Sequence, residues 1–573
     1  MSLKVRRRLP QAVPLAGLHP LVARLYAARG IEAPEDAALG LDALLPTTLL
    51  GGAEAAAELL HDALRRERRI LIVGDYDADG ATSTAVAVLG LRRLGATQVD
   101  YLVPNRFEYG YGLTPEIVAL ARTRSPDLIV TVDNGIASVA GVAAARAAGI
   151  DVLVTDHHLP GKTLPDATVL VDPNLPGDPF PSKCLAGVGV MFYVLLALRA
   201  RLRSVDWFAS RGLSEPNLAE LLDLVALGTV ADVARFDRNN RILVANGLKR
   251  LRAGRCRPGI AALARVAKRS LDRLEARDLG FAIGPRLNAA GRMDDMTVGI
   301  ECLIADDPAR AATLAAALDA LNRDRRDREQ QMRDEAFDAL AALGDDPPRG
   351  IVLFDPRWHQ GIVGLVASRV RERSARPTIA FADAGDGTLK GSGRSIDGLH
   401  LRDALETIAT REPDLIARFG GHAAAAGLTL AKDALPRFSA AFEAEVARVL
   451  GDAPPDASVA SDGELEASLL DATGARAIRD GGPWGQGFPE PRFDGGFTVR
   501  ERRFVGERHL KLTLDGPGGP LSAIAFGWDD DPVPEPGARV HAVYALDLDA
   551  YRGGDAVQLL VDELVPADQV MLV

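Results

Sequence analysis

The chain has 573 residues, a formal net charge of −11, and 47% hydrophobic and 25% charged residues. This length exceeds what one hydrophobic core supports, so we expect several domains of ordinary globular composition. Its three widely spaced cysteines argue against a disulfide framework or a zinc site. Its negative net charge argues weakly against a protein that coats nucleic acid nonspecifically, although a local basic groove is compatible with a negative total.

The N-terminus, "MSLKVRRRLPQAVPL", is basic but lacks the continuous apolar segment of a signal peptide. No stretch has the roughly 18 uninterrupted apolar residues that a membrane span needs. We therefore expect a cytoplasmic protein without a membrane anchor.

Composition and patterning divide the chain into five predicted segments. They are an N-terminal helical segment (1–50), an α/β catalytic domain (51–304), a long connecting helix (305–345), a second α/β domain (346–451) and a C-terminal all-β domain (452–573). The linker before the last domain is "GDAPPDASVASDG", which is rich in Pro, Asp and Ala.

In the second segment, short apolar runs alternate with Ala-rich helical stretches. "RILIVGD" precedes "ATSTAVAVLGLRRLG", "DLIVTVDNG" precedes "SVAGVAAARAAG", and "DVLVTDHH" follows. This alternation predicts β-α-β units and a parallel sheet covered by helices on both faces. In such sheets the ligand site lies beyond the carboxyl ends of the strands.

Each of these strands ends in acid or histidine. The strand-end residues are Asp75, Asp77, Asp79, Asp133, Asp156, His157 and His158. Carboxylates repel one another at neutral pH, and a bound cation makes their crowding favourable. Oxygen-rich ligands with imidazole suit Mn²⁺ or Mg²⁺ better than Zn²⁺, so we predict a two-ion site for phosphoryl hydrolysis.

Two other interpretations compete for "GDYDADGATS". A phosphate-binding loop would need the lysine that this segment lacks. A lone Asp-X-Asp is more often a helix cap or a turn. Convergence of several acids at one end of the predicted sheet favours the metal site.

Beyond the sheet, "DDPARAATLAAALDALNRDRRDREQQMRDEAFDALAAL" predicts a long helix with a solvated charged face. "IVLF", "GIVGLVASRVRER" and "PTIAF" then predict a strand, a helix and a strand of a second α/β lobe. Five short strands after the linker predict a small barrel or sandwich.

Four motifs, "DYDADG", "VDNG", "TDHH" and "ALGTVADVA", resemble in order the metal motifs of the DHH phosphoesterase superfamily. The resemblance implies that two divalent cations, Mn²⁺ or Mg²⁺, are bound by Asp77, Asp79, Asp133, His157 and Asp232. It implies that Asp75 and His158 lie beside the metals and contact them indirectly or touch the substrate. Many members carry a histidine where this chain has Val73, which leaves the role of Asp75 open.

Further motifs, "GPRLNAAGRMDD", "WHQGIVGLVASR", "GSGRS" and "FGGHAAAAG", are similar to those of the bacterial single-strand-specific 5′→3′ exonucleases of that superfamily. "GSGRS" also suits an anion, because glycine N–H groups, Ser392 and Arg394 can contact a phosphate. The substrate contacts implied by the resemblance are Arg106, Arg286, Asn288, Arg292, Gly391, Ser392, Arg394 and His422. A histidine packed at a turn is the alternative for His422.

Aromatic and basic residues supply candidate contacts to a single strand. We expect Tyr109 and Tyr111 either to stack on bases or to pack within their own loop. The C-terminal domain resembles an OB-fold, and its candidate contacts are Arg502, Arg503, Arg508, Lys511 and Tyr551.

These patterns predict a metal-dependent exonuclease that threads single-stranded DNA between two α/β lobes and releases 5′-mononucleotides. The resemblance implies a monomer that works with single-strand-binding protein and a RecQ-type helicase in recombination and repair. Two alternatives stay open: a DHH-type hydrolase of short oligonucleotides or small phosphates, and a non-catalytic replication scaffold. Neither metal preference nor selection of DNA over RNA follows from the residues.

Overall fold

The structure is a computed structural model that describes residues 3–8, 15, 17–104, 112–344, 347–451, 458–506, 508–528, 532–549 and 552–573. The chain forms two compact units. The first comprises Met1–Gly291, Asp295–Ala317 and Ala457–Val573, and the second comprises Arg292–Asp294 and Leu318–Asp456. The candidate contacts Arg106, Tyr109, Tyr111 and Tyr551 lie outside the described residues.

The strands of the described residues form three sheets and a barrel. In chain order they are β1 (Leu3–Arg7), β2 (Ile70–Gly74), β3 (Val99–Leu102), β4 (Leu128–Val132), β5 (Asp151–Thr155), β6 (Val169–Val171), β7 (Ile351–Phe354), β8 (Thr378–Asp383), β9 (Thr388–Arg394), β10 (Arg418–Gly421), β11 (Ala425–Ala431), β12 (Val459–Ser461), β13 (Phe493–Val505), β14 (His509–Gly516), β15 (Gly519–Phe526), β16 (Arg539–Leu548), β17 (Val557–Pro566) and β18 (Val570–Leu572).

The helices of the described residues cover these sheets and join them. In chain order they are α1 (Pro20–Ala27), α2 (Pro34–Ala37), α3 (Ala53–Arg65), α4 (Ala78–Arg93), α5 (Pro115–Arg122), α6 (Val139–Ala147), α7 (Gly187–Ser204), α8 (Trp207–Ser210), α9 (Leu222–Ala231), α10 (Arg238–Arg252), α11 (Pro258–Val266), α12 (Ala276–Asp278), α13 (Gly284–Met293), α14 (Thr297–Ile304), α15 (Pro308–Ala341), α16 (Val363–Ser374), α17 (Leu401–Arg411), α18 (Leu435–Leu450) and α19 (Ala472–Asp480). A π-helical turn, Leu279–Ile283, directly precedes α13.

The five-stranded sheet of the first unit has the order β3-β2-β4-β5-β6, and every neighbouring pair is parallel. Strands β2 and β4 are buried along their whole length, as expected for strands covered on both faces. Residues of α5 and α6 pack with β4 and β5 in one apolar core. The predicted parallel-sheet domain is confirmed, and its strand ends meet at one edge.

The second unit contains a mixed sheet of order β10-β11-β9-β8-β7, in which only β7 and β8 are parallel. Helices α17 and α18 contribute to one apolar core on this sheet. Residues of α15 and α16 contribute to a second core with β7 and β8. The predicted second α/β domain is therefore confirmed as a sheet with helices on both faces.

A closed barrel, β13-β14-β15-β17-β16, confirms the predicted C-terminal OB-fold domain. A small parallel sheet of order β12-β1-β18 lies in the same unit. Strand β1 falls where we expected only helix, and β12 falls inside the predicted linker. Both strands are short and pair with distant parts of the chain, so local periodicity carries little signal for them. No helix among the described residues is both long and apolar enough to cross a membrane.

Candidate metal centre

The first metal motif sits at the junction of β2 and α4. Asp77 is the N-cap of α4, and its Oδ1 accepts a hydrogen bond of 2.9 Å from the Gly80 amide. Asp79 occupies the first helical turn and is only 1% exposed. Asp75 lies just beyond the strand end and is also buried. The alternating aspartates are therefore held by the turn that converts strand into helix.

Asp79 is fixed by the N-terminus of α7. Its Oδ2 accepts a 2.7 Å hydrogen bond from the Gly187 amide, and its Oδ1 accepts one of 3.0 Å from Val188. Burial and the neighbouring charge of Asp77 raise the pKa of Asp79 to about 7, although the two amide donors oppose this shift. A Cβ at position 187 would lie 2.7 Å from the Asp133 side chain, so this approach requires glycine.

Asp133 and His157 come from the ends of β4 and β5. Asp133 is 2% exposed and has a left-handed backbone with φ of 60°. The Nε2 atom of His157 lies 3.0 Å from Oδ1 of Asp133 and 3.9 Å from Oδ2 of both Asp79 and Asp232. This nitrogen is buried and donates no hydrogen bond to any described residue. It thus points into a carboxylate cluster as a metal ligand would.

Asp232 completes the cluster from the C-terminal end of α9, where it is the C-cap residue. Three overlapping sets each bring one ligand atom per residue within 4.8 Å of the others. The sets are Asp133, His157 and His158; Asp79, His157 and Asp232; and Asp75, Asp77 and Asp133. The structure brings together all seven residues that the sequence assigned to the metals or to their immediate surroundings.

Electrostatics favour a cation here. Burial is the largest cause that raises the pKa of Asp133 and Asp232 well above their usual range, and the other carboxylates add to it. Burial also lowers the pKa of His157 to about 4, so its imidazole is neutral and able to coordinate a metal. A set of acids that cannot all ionise alone fits divalent ions with oxygen and imidazole ligands.

Asp156, the first residue of the Asp-His-His triplet, organises the loop after β5. Its Oδ1 accepts hydrogen bonds from the amides of His157 and His158, and its Oδ2 accepts one from Ile136. The Nδ1 atom of His158 lies 2.7 Å from the same Oδ1. Burial opposes a charge on His158, but Asp156 outweighs it and raises the pKa of His158 to about 9.

Helix α13 packs directly against the loop that carries the first metal motif. Oδ1 of Asn288 accepts a 2.8 Å hydrogen bond from the Ala78 amide. A Cβ at Gly291 would lie 1.7 Å from the Tyr76 carbonyl, so the helix and the loop are in direct backbone contact. Arg286 is 7% exposed and donates to the Ala282 carbonyl. The geometry of Asn288 therefore suits positioning of the loop as well as substrate contact.

In the second unit, "GSGRS" forms the end of β9. The Arg394 guanidinium donates to Ser392 Oγ at 3.1 Å and to the Gly393 carbonyl at 2.8 Å. A Cβ at Gly364, in the first turn of α16, would lie 2.8 Å from Ser392 Oγ and 3.0 Å from the Arg394 guanidinium. Burial and nearby Arg371 lower the pKa of Arg394. The Arg394 guanidinium beside the first turn of α16 suits a phosphate.

The remaining substrate candidates occupy different settings. Gly391 packs against Phe381 in the same sheet, where a Cβ would lie 2.4 Å from the ring. His422 is exposed, which does not match the alternative of a packed histidine. Arg292 donates to the Gly361 carbonyl at 3.2 Å.

Two of the basic candidates on the barrel differ in their surroundings. Arg502 is paired with Glu535. Lys511 is partly buried, and this burial lowers its pKa.

Some residues that build the site were missed by the sequence analysis. Gly187 and Val188 hold Asp79, Asn174 Nδ2 donates to the His157 carbonyl at 2.6 Å, and Asn134 bridges the β2 and β4 ends. Only Asn134 has a local signal, since it sits inside "VDNG". Asn174 lies in a loop and Gly187 in the first turn of α7, and their contacts with the site arise only on folding.

Three family models match separate parts of the chain. Residues 69–229 match the DHH family N-terminal domain, residues 348–448 match the DHHA1 domain, and residues 461–563 match the RecJ OB domain.

Two relatives match this chain over nearly their whole length, and a solved structure matches over most of its length. The chain is 53% identical to the single-stranded-DNA-specific exonuclease RecJ of Salmonella typhimurium and 52% identical to that of Escherichia coli, covering 98% of each chain in both cases. A crystal structure of RecJ from Thermus thermophilus in complex with Mn²⁺ superimposes with a TM-score of 0.81 at 35% identity. That match covers 98% of this chain and 79% of the other.

Proposed function

Since this chain belongs to the RecJ family of single-stranded-DNA-specific exonucleases, we propose that it removes 5′-mononucleotides from the 5′ end of single-stranded DNA. The observation that carries the chemistry is the buried cluster of Asp79, Asp133, His157 and Asp232. Their oxygen and imidazole ligands fit Mn²⁺ or Mg²⁺, the two ions present in solved relatives. The enzyme is accordingly a metal-dependent phosphodiester hydrolase.

The proposed ligands of two divalent cations are Asp77, Asp79, Asp133, His157 and Asp232. Bound there, the cations would supply a water nucleophile at neutral pH and neutralise charge on the scissile phosphate. The backbone donors of α7 keep Asp79 oriented for this role. Asp75 accepts a hydrogen bond from the Tyr76 amide, which shapes the same loop.

His158 is the proposed catalytic donor. Asp156 holds its Nδ1 atom and raises its pKa to about 9, so the ring is protonated at neutral pH. Its side chain is 45% exposed, so its Nε2–H is accessible to donate a hydrogen bond to a phosphate oxygen. Asp156 would then act as the residue that orients this donor.

Ser392 and Arg394 are proposed to hold the phosphate at the 5′ end, with Gly391, His422, Arg286, Asn288, Arg292, Arg106, Tyr109 and Tyr111 as further strand contacts. In this proposal residues 51–304 perform catalysis, residues 346–451 bind the strand end and residues 452–573 bind the rest of the single strand. The helix 305–345 joins the two α/β domains, and 1–50 supports the first. Such an enzyme would act in the cytoplasm as a monomer, with single-strand-binding protein and a RecQ-type helicase, in recombination and repair.

The test is product analysis on single-stranded DNA labelled at its 5′ or its 3′ end, with Mn²⁺ or with a chelator. We expect immediate release of labelled mononucleotide from the 5′ end only, and none with chelator. Intact long DNA with rapid hydrolysis of dinucleotides would instead identify a small-substrate hydrolase. Binding of DNA without turnover would identify a scaffold.

The proposed 5′-phosphate site has its own test. Arg394→Gln removes a guanidinium that can contact a phosphate, so we expect KM for 5′-phosphorylated DNA to rise about tenfold. Arg437→Gln, an exposed arginine on α18 paired with Glu412, is the matched control and should leave KM unchanged. An equal KM for 5′-phosphorylated and 5′-hydroxyl DNA in the unmodified enzyme would contradict the assignment.

A further inference from the structure

A cavity of about 330 Å³ in the first unit lies beside the chain segment that carries Asp232. Val230, Ala231, Val233 and Ala234 line it, and these residues flank Asp232 on both sides. The Asp232 carboxylate itself belongs to the cluster with Asp79 and His157. One short stretch of chain therefore supplies both a candidate metal ligand and a wall of the cavity.

The rim of this cavity is apolar and unusually exposed. Phe281 is 81% exposed and Val233 is 64% exposed, and both line the cavity. Phe281 lies on the π-helical turn Leu279–Ile283, which leads directly into α13 with its candidate substrate residues. Single-turn π-helices are frequent at functional sites, and a large exposed ring is costly to leave in water.

The floor of the cavity is rigid and aromatic. Trp484 is 8% exposed, and its indole N–H donates to the Ile478 carbonyl at 2.9 Å. Its ring stacks on Phe488 at 5.3 Å, and the Arg29 guanidinium lies 5.0 Å from the Trp484 ring centre. A floor held this way keeps its shape without a ligand.

Charge on the walls argues against a phosphate as the occupant. Two glutamates and three arginines line the cavity, and each arginine already has a partner. Arg277 is paired with Glu490 at 3.2 Å and with Asp547 at 2.6 Å. Arg252 donates to the Leu274 carbonyl at 2.7 Å, and Arg479 is paired with Asp480 at 3.0 Å. An apolar slot with an exposed phenyl ring at its mouth suits a planar aromatic group, which stacks on it favourably.

We infer that this cavity receives a nucleobase of the DNA strand whose phosphodiester lies at the metal centre, with Phe281 as the stacking surface. The inference rests on the proposed function, because the strand must pass Asp232 for its base to reach Val233 and Phe281. Stacking on an apolar ring accepts every base, so this contact grips the strand without reading its sequence.

The experiment compares Phe281→Ser, Phe281→Trp and the control Leu213→Ser, which alters a 42% exposed leucine outside the cavity lining. KM for single-stranded DNA should rise about tenfold in Phe281→Ser and return close to its original value in Phe281→Trp. Leu213→Ser should match the unmodified enzyme. Equal KM values for Phe281→Ser and Leu213→Ser would overturn the inference.

A second readout does not depend on turnover. 2-Aminopurine is placed at successive positions of a strand whose 5′ end is protected by phosphorothioate linkages. We expect one position to show quenched fluorescence with the unmodified protein and to lose that quenching in Phe281→Ser. Quenching that persists in Phe281→Ser would overturn the inference. Failure of the unmodified protein to degrade DNA would instead overturn the proposed function.

Discussion

Two clusters of buried carboxylates in the first unit have opposite electrostatics. At the metal centre, Asp79 and Asp133 are 1% and 2% exposed, and burial with neighbouring acids raises the pKa of both. At the junction of the barrel and the small sheet, Asp494 is fully buried, yet its pKa lies below its usual range.

The two sites differ in how much positive charge the chain itself places beside the buried acids. Burial opposes the charge of Asp494, but hydrogen bonds from His541, Arg7 and Ser461 outweigh it, with the Arg7 guanidinium 2.6 Å away. The metal centre has His157, whose lowered pKa keeps it neutral, and several acids. A buried acid with its own positive partner in the chain holds the fold together, whereas several acids that share one charged imidazole, that of His158, favour a cation from outside.

The largest expected effect comes from Asp133→Asn. This substitution replaces a negatively charged candidate metal ligand by a neutral amide. We therefore expect turnover of single-stranded DNA to fall by more than about 1000-fold. The melting temperature without metal should stay the same or rise, because a like charge is removed. Asp494→Asn is the control and should retain activity; a comparable loss of turnover there would break the distinction between the two clusters.

A second substitution tests how closely α7 packs on the metal centre. In Gly187→Ala the new methyl group would lie 2.7 Å from Asp133, so the acid or the helix must move. We expect steady-state turnover to fall about 10- to 100-fold, as small displacements of catalytic groups do. Gly161→Ala, where the nearest atom is 3.9 Å away, should have no effect. Full activity of Gly187→Ala would show that the cluster tolerates displacement.

The barrel junction is tested by Asp494→Asn, which weakens the contacts with Arg7, His541 and Ser461. We expect the free energy of unfolding at pH 7 to fall by about 2 kcal/mol. Because the pKa of Asp494 is lower in the folded state, its ionised carboxylate stabilises the fold above the unfolded-state pKa of about 3.9. This stabilisation is lost as the pH falls below that value. The difference between the two proteins in chemical denaturation should therefore shrink below about pH 4; a constant difference would contradict this account.

The smallest expected effect, taken for each pH unit, is the pH dependence of metal binding. Asp79 has a raised folded-state pKa of about 7, so without metal its contribution to stability falls as the pH rises from about 4 to 7. Mn²⁺ competes with these protons, and its stabilisation should grow by about 1 kcal/mol per pH unit over that range. Thermal unfolding with and without Mn²⁺ measures it. In Asp79→Asn the increase of Mn²⁺ stabilisation with pH should be smaller. An unchanged increase would show that the competing protons bind to other residues.

Much of the fold was predictable because its signals are local. "RILIVGD" and "DLIVTVDNG" show buried parallel strands through continuous apolar runs, and they became β2 and β4. Strand β1 was missed because its three-stranded sheet joins Leu3–Arg7 to Val459–Ser461 and Val570–Leu572. No local pattern encodes a pairing between residues more than 450 positions apart.

The sequence by itself determined which acids and histidines end neighbouring strands, since the carboxyl ends of parallel strands share one edge. Only the tertiary structure decided how those groups are held. The α7 amides reach Asp79, Asn288 supports the Ala78 amide, and Phe281 stands beside the chain around Asp232. These contacts depend on helix packing over the whole sheet, and backbone amides that donate them carry no residue-specific signal.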